Sequence, residues 1–304
     1  MRQAVMVSPG KIEFRDAPVP QVREDQVLVK LFRIGICGSD IHVYHGKHPY
    51  TSYPVVQCHE VAGEIVEKGA RVRGLSVCDR VTIQPQLVCG KCFPCTHGQY
   101  HICNNLKVMG FQTTGTASEF FAVEAEKVLK LPGGTPFDYG AMVEPLAVGV
   151  HALGRGGSVK GKKVLVLGAG PIGNLAAQAA RGMGAAAVAI TDISEFRLGI
   201  AASCGIENRL NASAADVGAY IPSVFGERAI VDMGLVQDRE LRLIGTLMYQ
   251  EKDFRVAIEL IEKGRVTLAP LITDHFAFLD YEKAYQHIEA HRDNSMKVMM
   301  DIQE

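Results

Sequence analysis

The chain reads as an α/β protein in two unlike parts, and three features say so. Residues 1–135 are mainly short alternating apolar runs broken by Gly and Pro, which read as strands. Residues 161–192, GKKVLVLGAGPIGNLAAQAARGMGAAAVAITD, then read as strand, glycine turn, helix and strand, a pattern that argues for a parallel, doubly wound sheet. After residue 250 come an amphipathic helix (FRVAIELIEKG), a strand-like run (LITDHFAF) and a second helix (YEKAYQHIEAH). The expected organisation is a β-rich domain at 1–151, a dinucleotide-type domain at 152–250 and a tail at 251–304 that returns to the first domain.

The first strand is MRQAVMVSPGKIEF, which alternates and lacks the apolar core of a signal peptide. QVLVKLFRIGI, EVAGEIVEKG, DRVTIQP and EFFAVEAEKVLKLP supply further strands, and residues 141–153 look like a buried helix. A chain of 304 residues is long enough for two cores. Its net charge of −1 provides no basic field for nucleic acid or an anionic membrane. No apolar run is long enough to cross a bilayer. These features lead us to expect a soluble cytoplasmic protein, where thiols stay reduced. Clustered cysteines are then ligands rather than bridges.

Residues 87–103, LVCGKCFPCTHGQYHIC, carry such a cluster: Cys89, Cys92, Cys95 and Cys103. Four closely spaced thiolates wrap one soft cation in a tetrahedron and leave no position for substrate. An iron–sulfur cluster is the rival, but the run lacks the Cys-Pro ending and a second set, so zinc is favoured. GICGSDIHVYHG and QCHEVAGEIVEKG offer Cys37, His59 and Glu60 as ligands for a second zinc, and MVEPLAVGVHA adds Glu144 on the expected buried helix. Three protein ligands and one open position are the format of a catalytic zinc. Taken singly, these residues read equally well as a core cysteine and surface acids.

The order GICGSDIH, HEVAGEIVEKG, CDRVTIQP, four-cysteine lobe, EPLAVGVHA, VLVLGAGPIG resembles that of zinc-dependent medium-chain alcohol dehydrogenases over nearly the whole chain. Glu144 stands where other alcohol dehydrogenases carry a cysteine ligand, so the chain looks closest to the polyol (sorbitol-like) branch. The resemblance implies a GroES-like catalytic domain and a Rossmann-type domain. It also implies a catalytic zinc on Cys37, His59 and Glu60, with Glu144 reaching it directly or through water, and a structural zinc in the four-cysteine lobe. Ser39 and His42 become a proton relay; without the resemblance, Ser39 reads as a turn residue and His42 as a surface one. The expected activity is NAD-linked oxidation of a secondary alcohol or polyol by a dimer or tetramer. Threonine, a vicinal diol or a sugar phosphate are alternative substrates within the family.

The glycine turn Gly168, Gly170, Pro171, Ile172 and Gly173 follows the strand KKVLVL and opens the helix NLAAQAA, the context that makes GxGxxG informative. Its backbone can approach a pyrophosphate at a helix N-terminus. Asp192, about 20 residues on, is placed for the adenosine ribose and repels a 2′-phosphate, which favours NAD over NADP. Arg197 can lie over the adenine side. Asp192 also reads as the N-cap of the helix in SEFRLGIAA.

The sequence departs from the family pattern in three ways. Ala229 runs almost directly into Ile230-Val231-Asp232, so one strand–helix–strand unit beside the nicotinamide is lacking. Its loss would open the edge of the first parallel strand and remove half the cofactor cleft. Either the sequence omits residues of a longer protein, the reading we favour, or it is a catalytically impaired zinc- and nucleotide-binding variant. Cys58 and Cys78 replace family glycines, awkward wherever the backbone needs a positive φ. Met248-Tyr249 replaces an Arg-Tyr pair, which leaves the substrate open among polyols and secondary alcohols.

Overall fold

A computed structural model describes residues 1–213, 233–238 and 241–303. The strand Gln26–Gly35 is the spine of the first part, and all ten of its residues are buried or half-buried. One edge pairs antiparallel with Glu60–Lys68 along its length. The other edge is shared: Phe120–Glu124 covers Gln26–Lys30, while the distant strand Lys297–Asp301 covers Arg33–Gly35. The sheet continues through Arg80–Ile83 and Val128–Lys130 on one flank, and through Ile272–Ala277 on the other. Val27, Val29, Leu31 and Ile34 pack with Val61, Ile65, Val81 and Ile83 in one core.

Two helices follow the strand Val128–Lys130. Phe137–Ala141 is short, and Val143–Arg155 carries Glu144 near its start. Leu146, Ala147 and Val150 of the longer helix share a second core with Leu175, Phe254, Ala257 and Leu260. The helix Glu251–Glu262 therefore sits against the Glu144 helix.

The cofactor-type unit forms a parallel sheet ordered Lys163–Leu167, Ala187–Asp192, Asn208–Asn211. The helices Pro171–Gly182 and Glu195–Ser203 make its crossovers. Among the described residues, Lys163–Leu167 has one neighbour only, and Leu165 is 54% exposed. The unpaired edge expected from the shortened sequence is thus present in these residues. The Ala229–Ile230 junction itself lies outside the described residues. No helix among them is long and apolar enough to cross a membrane.

Among the described residues, three non-glycine residues are left-handed: Cys58 (φ 72°), Cys78 (φ 69°) and Met248 (φ 54°). Cys58 is buried, Cys78 is exposed, and neither is in a disulfide. A left-handed L-residue costs roughly 1–2 kcal/mol, while glycine gives part of this back through its unfolded-state freedom. Cys78→Gly is therefore expected to raise stability by about 0.5–1 kcal/mol, read as a higher denaturant midpoint at unchanged slope.

Candidate metal and cofactor site

Cys37 is the N-cap of the short helix Gly38–Tyr44, and its backbone N–H donates to Asp40 Oδ2 at 2.9 Å. His59 and Glu60 stand at the start of the neighbouring strand, because Glu60 pairs in register with Gly35 two residues before Cys37. A Cβ on Gly35 would lie 2.2 Å from Glu60 Oε2, so only glycine lets that carboxylate occupy its place. As a result, one ligand atom each from Cys37, His59 and Glu60 falls within 4.8 Å of the others. Sulfur, nitrogen and oxygen donors in one pocket are a zinc-type set.

The surroundings fit a metal-binding imidazole. His59 Nδ1 and Asp40 Oδ1 are both buried, lie 4.0 Å apart and lack hydrogen-bond partners. A carboxylate behind the imidazole is the usual orienting partner of a histidine ligand. Burial opposes charge on His59, but the Cys37 thiol and the Asp40 and Glu144 carboxylates outweigh it and push the ring up to about 10. That is the signature of a site with excess negative charge, which a cation would neutralise.

Two partners of this site escape a reading of the sequence. Lys297, 3% exposed, donates to Glu60 Oε1 at 2.8 Å and Oε2 at 2.6 Å. Asp40 is wholly buried and is marked only by its place three residues after Cys37, where it forms a capping box. Glu144 lies outside the three-ligand group. Its carboxylate accepts a hydrogen bond from the hydroxyl of buried Tyr249. Burial, with Glu60 nearby, raises Glu144 to about 7 despite the opposing pull of His59. Ser39 Oγ donates to Cys37 Sγ at 3.1 Å. His42 is exposed, and no side-chain hydrogen bond joins it to Ser39.

Cys58 does not join the ligand group. Its thiol lies 2.7 Å from the Tyr281 hydroxyl, and burial raises its pKa well above the ordinary thiol range, so it stays protonated.

The four-cysteine lobe also closes on one point. Sulfur separations are 3.4 Å for Cys92–Cys95, 3.7 Å for Cys92–Cys103 and 3.5 Å for Cys89–Cys103. Thiolates about 2.3 Å from one tetrahedral zinc stand ~3.8 Å apart, so the cage needs little adjustment to hold one. Backbone N–H groups of Lys91 and Cys92 bring Cys89 down to about 6.

The glycine turn is shaped for close approach. Gly168 has φ 96°, and a Cβ on Gly173 would lie 1.9 Å from Gly168 O, whereas Gly168 and Gly170 face open space. Pro171 and Ile172 begin the helix above it. Asp192 ends its strand, accepts from Ala169 N at 2.7 Å, and has Arg197 Nη1 at 3.9 Å. The N-cap of the next helix is Ser194, not Asp192, which instead accepts from Ser194 N. The cap reading of Asp192 is thereby corrected: Ser194 follows two residues later and has the extended backbone a cap requires.

Removing Lys297 would strand a buried carboxylate. Lys297→Met is expected to cost about 3–5 kcal/mol in denaturant unfolding of metal-free protein, and Glu60→Gln in the same chain should recover much of it.

Residues 23–133 match the family model "Alcohol dehydrogenase GroES-like domain". L-threonine 3-dehydrogenase of Pyrococcus furiosus is 38% identical over 208 residues, 67% of this chain and 60% of that protein. Here the match spans less than two thirds of the relative. Sorbitol dehydrogenase of Halalkalibacterium halodurans is 30% identical over 322 residues, 92% of this chain and 93% of that protein. The crystal structure of galactitol-1-phosphate dehydrogenase from Escherichia coli superposes with a TM-score of 0.91 at 26% identity, covering 99% of this chain and 100% of that one. With one sheet bearing a Cys-His-Glu pocket, a second bearing the glycine turn, and relatives along nearly its whole length, the chain belongs to the zinc-dependent medium-chain alcohol dehydrogenase family, among its polyol-dehydrogenase-like members.

Proposed function

We propose that the protein is a zinc-dependent dehydrogenase that moves a hydride between a secondary hydroxyl of a polyol or sugar-like alcohol and NAD. The observation that carries this reading is the convergence of Cys37, His59 and Glu60 ligand atoms within 4.8 Å, beside buried Glu144. In this reading residues 1–151 and 251–304 form the catalytic domain, residues 152–250 form the cofactor domain, and the chain assembles as a dimer or tetramer.

Cys37, His59 and Glu60 would hold the catalytic zinc, and Cys89, Cys92, Cys95 and Cys103 a structural one. Bound zinc supplies Lewis acidity, which makes a hydroxyl acidic near neutral pH. Asp40, 4.0 Å from His59 Nδ1 and without a hydrogen bond to it, would orient the ring through its charge. Lys297 restrains Glu60, so the carboxylate is shared between an ion pair and the metal pocket. Ser39, in contact with Cys37, is the first residue able to take the leaving proton, with His42 on the exposed side of the same helix. Glu144, with its pKa near 7, can hold a proton while Tyr249 fixes its carboxylate. Gly168, Gly170, Pro171, Ile172 and Gly173 would cradle the pyrophosphate. Asp192 and Arg197 would meet the adenosine end, and the carboxylate favours NAD over its 2′-phosphorylated form.

A second substrate reading has its own support, since a threonine dehydrogenase is 38% identical over two thirds of the chain. The test is metal analysis together with NAD and NADP reduction on a panel of polyols, vicinal diols, sugar phosphates and L-threonine. We expect two zincs per chain and NAD reduction with a polyol. Turnover with L-threonine alone would select the second reading. One zinc and no turnover on any alcohol would support a binding variant. Cys37→Ser and Glu144→Ala should each abolish turnover while sparing the fold by circular dichroism. Full activity in metal-replete Cys37→Ser protein would overturn the catalytic pocket.

A further inference from the structure

The buried histidines outside the metal pocket point to a second device. His101 lies in the turn Tyr100–Ile102 of the four-cysteine lobe, and His151 lies on the Glu144 helix. They are 7% and 5% exposed, and their rings are 4.9 Å apart in an edge-to-face arrangement. His151 Nδ1 is 2.8 Å from Asp253 Oδ2, and Asp253 also accepts from Gln250 N at 2.7 Å. With a carboxylate on that side, Nδ1 of His151 carries the proton and Nε2 is left as an acceptor. This Nε2 is buried without a partner, as is Nδ1 of His101. No hydrogen bond joins the two rings as they stand, but their unpartnered nitrogens are complementary when His101 bears its proton on Nδ1, one able to donate and the other to accept.

The same lobe grips the first turn of the helix Glu251–Glu262 at two more points. Gln250 Nε2 donates to Gly98 O at 2.6 Å, and Glu251 N donates to the Tyr100 hydroxyl at 2.6 Å. Immediately before that turn, Tyr249 gives its hydroxyl to Glu144, seven residues before His151 and so on the same helix face. Met248, just upstream, is left-handed, a conformation that persists only where its surroundings impose it.

We propose that His101 and His151 are positioning residues through which the four-cysteine lobe sets the first turn of the helix Glu251–Glu262, and with it the seat of Tyr249 on Glu144. A metal held by Cys89, Cys92, Cys95 and Cys103 would then do more than brace the lobe: by fixing Cys103, two residues from His101, it would fix the place of the His101 ring against His151. This inference rests on the reading that Glu144 belongs to the reacting centre.

The test uses the zinc-loaded chain and the variants His101→Phe, His101→Asn, Tyr249→Phe and the double variant His101→Phe/Tyr249→Phe. Two readouts are taken: amide hydrogen exchange over residues 249–254, and kcat separated from KM. In His101→Phe with its metal content intact, we expect exchange in this turn to quicken about tenfold and kcat to fall several-fold. His101→Asn, which keeps a donor, should restore both. In the double variant the loss in kcat should not exceed that of Tyr249→Phe, because the two residues act in series. Unchanged exchange in His101→Phe, or losses in kcat that multiply in the double variant, would overturn the proposal. Should the wild-type chain turn over no alcohol, the proposed function fails on its own, and the exchange readout still decides whether the lobe holds the turn.

Discussion

A carboxylate and an ammonium removed from water cost several kcal/mol each unless they meet, and Glu60 and Lys297 meet through both carboxylate oxygens. Much of the architecture serves that meeting. Lys297 reaches Glu60 because the strand Lys297–Asp301 lies beside Arg33–Gly35, with Glu60–Lys68 on the opposite edge. Gly35 leaves the space in which the carboxylate turns. The helix Tyr281–Ala290 follows the same return, bringing Tyr281 under Cys58 and the Tyr285 hydroxyl to Gln57 at 3.1 Å. A residue at 297 thus completes a pocket whose other members lie at 37, 59 and 60.

Features set by neighbours in the chain were legible in the sequence. The cysteine cage is written in spacing, and the glycine turn in its strand and helix context. The buried Glu144 helix is written in a run whose polar breaks are only Glu144 and His151, and the parallel strand with one neighbour among the described residues in the shortness of the segment between Gly205 and residue 250. Lys297 was not legible, since nothing near it marks a buried lysine and its partner is 237 residues away. Asp40 drew no reading from the sequence, and its placement beside His59 depends on a strand pairing that periodicity does not specify. Tyr249 was noted only as the tyrosine of a family pair whose arginine is here Met248, and its hydroxyl bond to Glu144 arises from the packing of the helix Glu251–Glu262 against the Glu144 helix.

Backbone strain divides in the same way. Cys58 and Cys78 occupy glycine-type conformations, and the sequence alone exposed the mismatch. Only the fold shows that they differ in kind. Cys78 faces solvent and gains nothing evident from its side chain. Cys58 is sealed beneath Tyr281, where its thiol has a polar neighbour and the preceding Gln57 is held by Tyr285 and by the Asp40 carbonyl. Strain beside His59 is therefore held in place by the helix that packs against it.

The distance in sequence between Glu60 and Lys297 also sets a timetable. During synthesis at about 5–20 residues per second, the strand bearing Glu60 leaves the ribosome tens of seconds before its cation does. Over that interval the nascent chain has the cysteine, the imidazole and the carboxylate of the pocket but not the ammonium. A metal ion entering the proposed pocket at that stage would find Glu60 unclaimed, whereas in the finished fold it would share the carboxylate with Lys297. With Glu60 as a ligand, ion loading and chain completion would compete, and a slow stretch of translation before residue 297 would favour the ion.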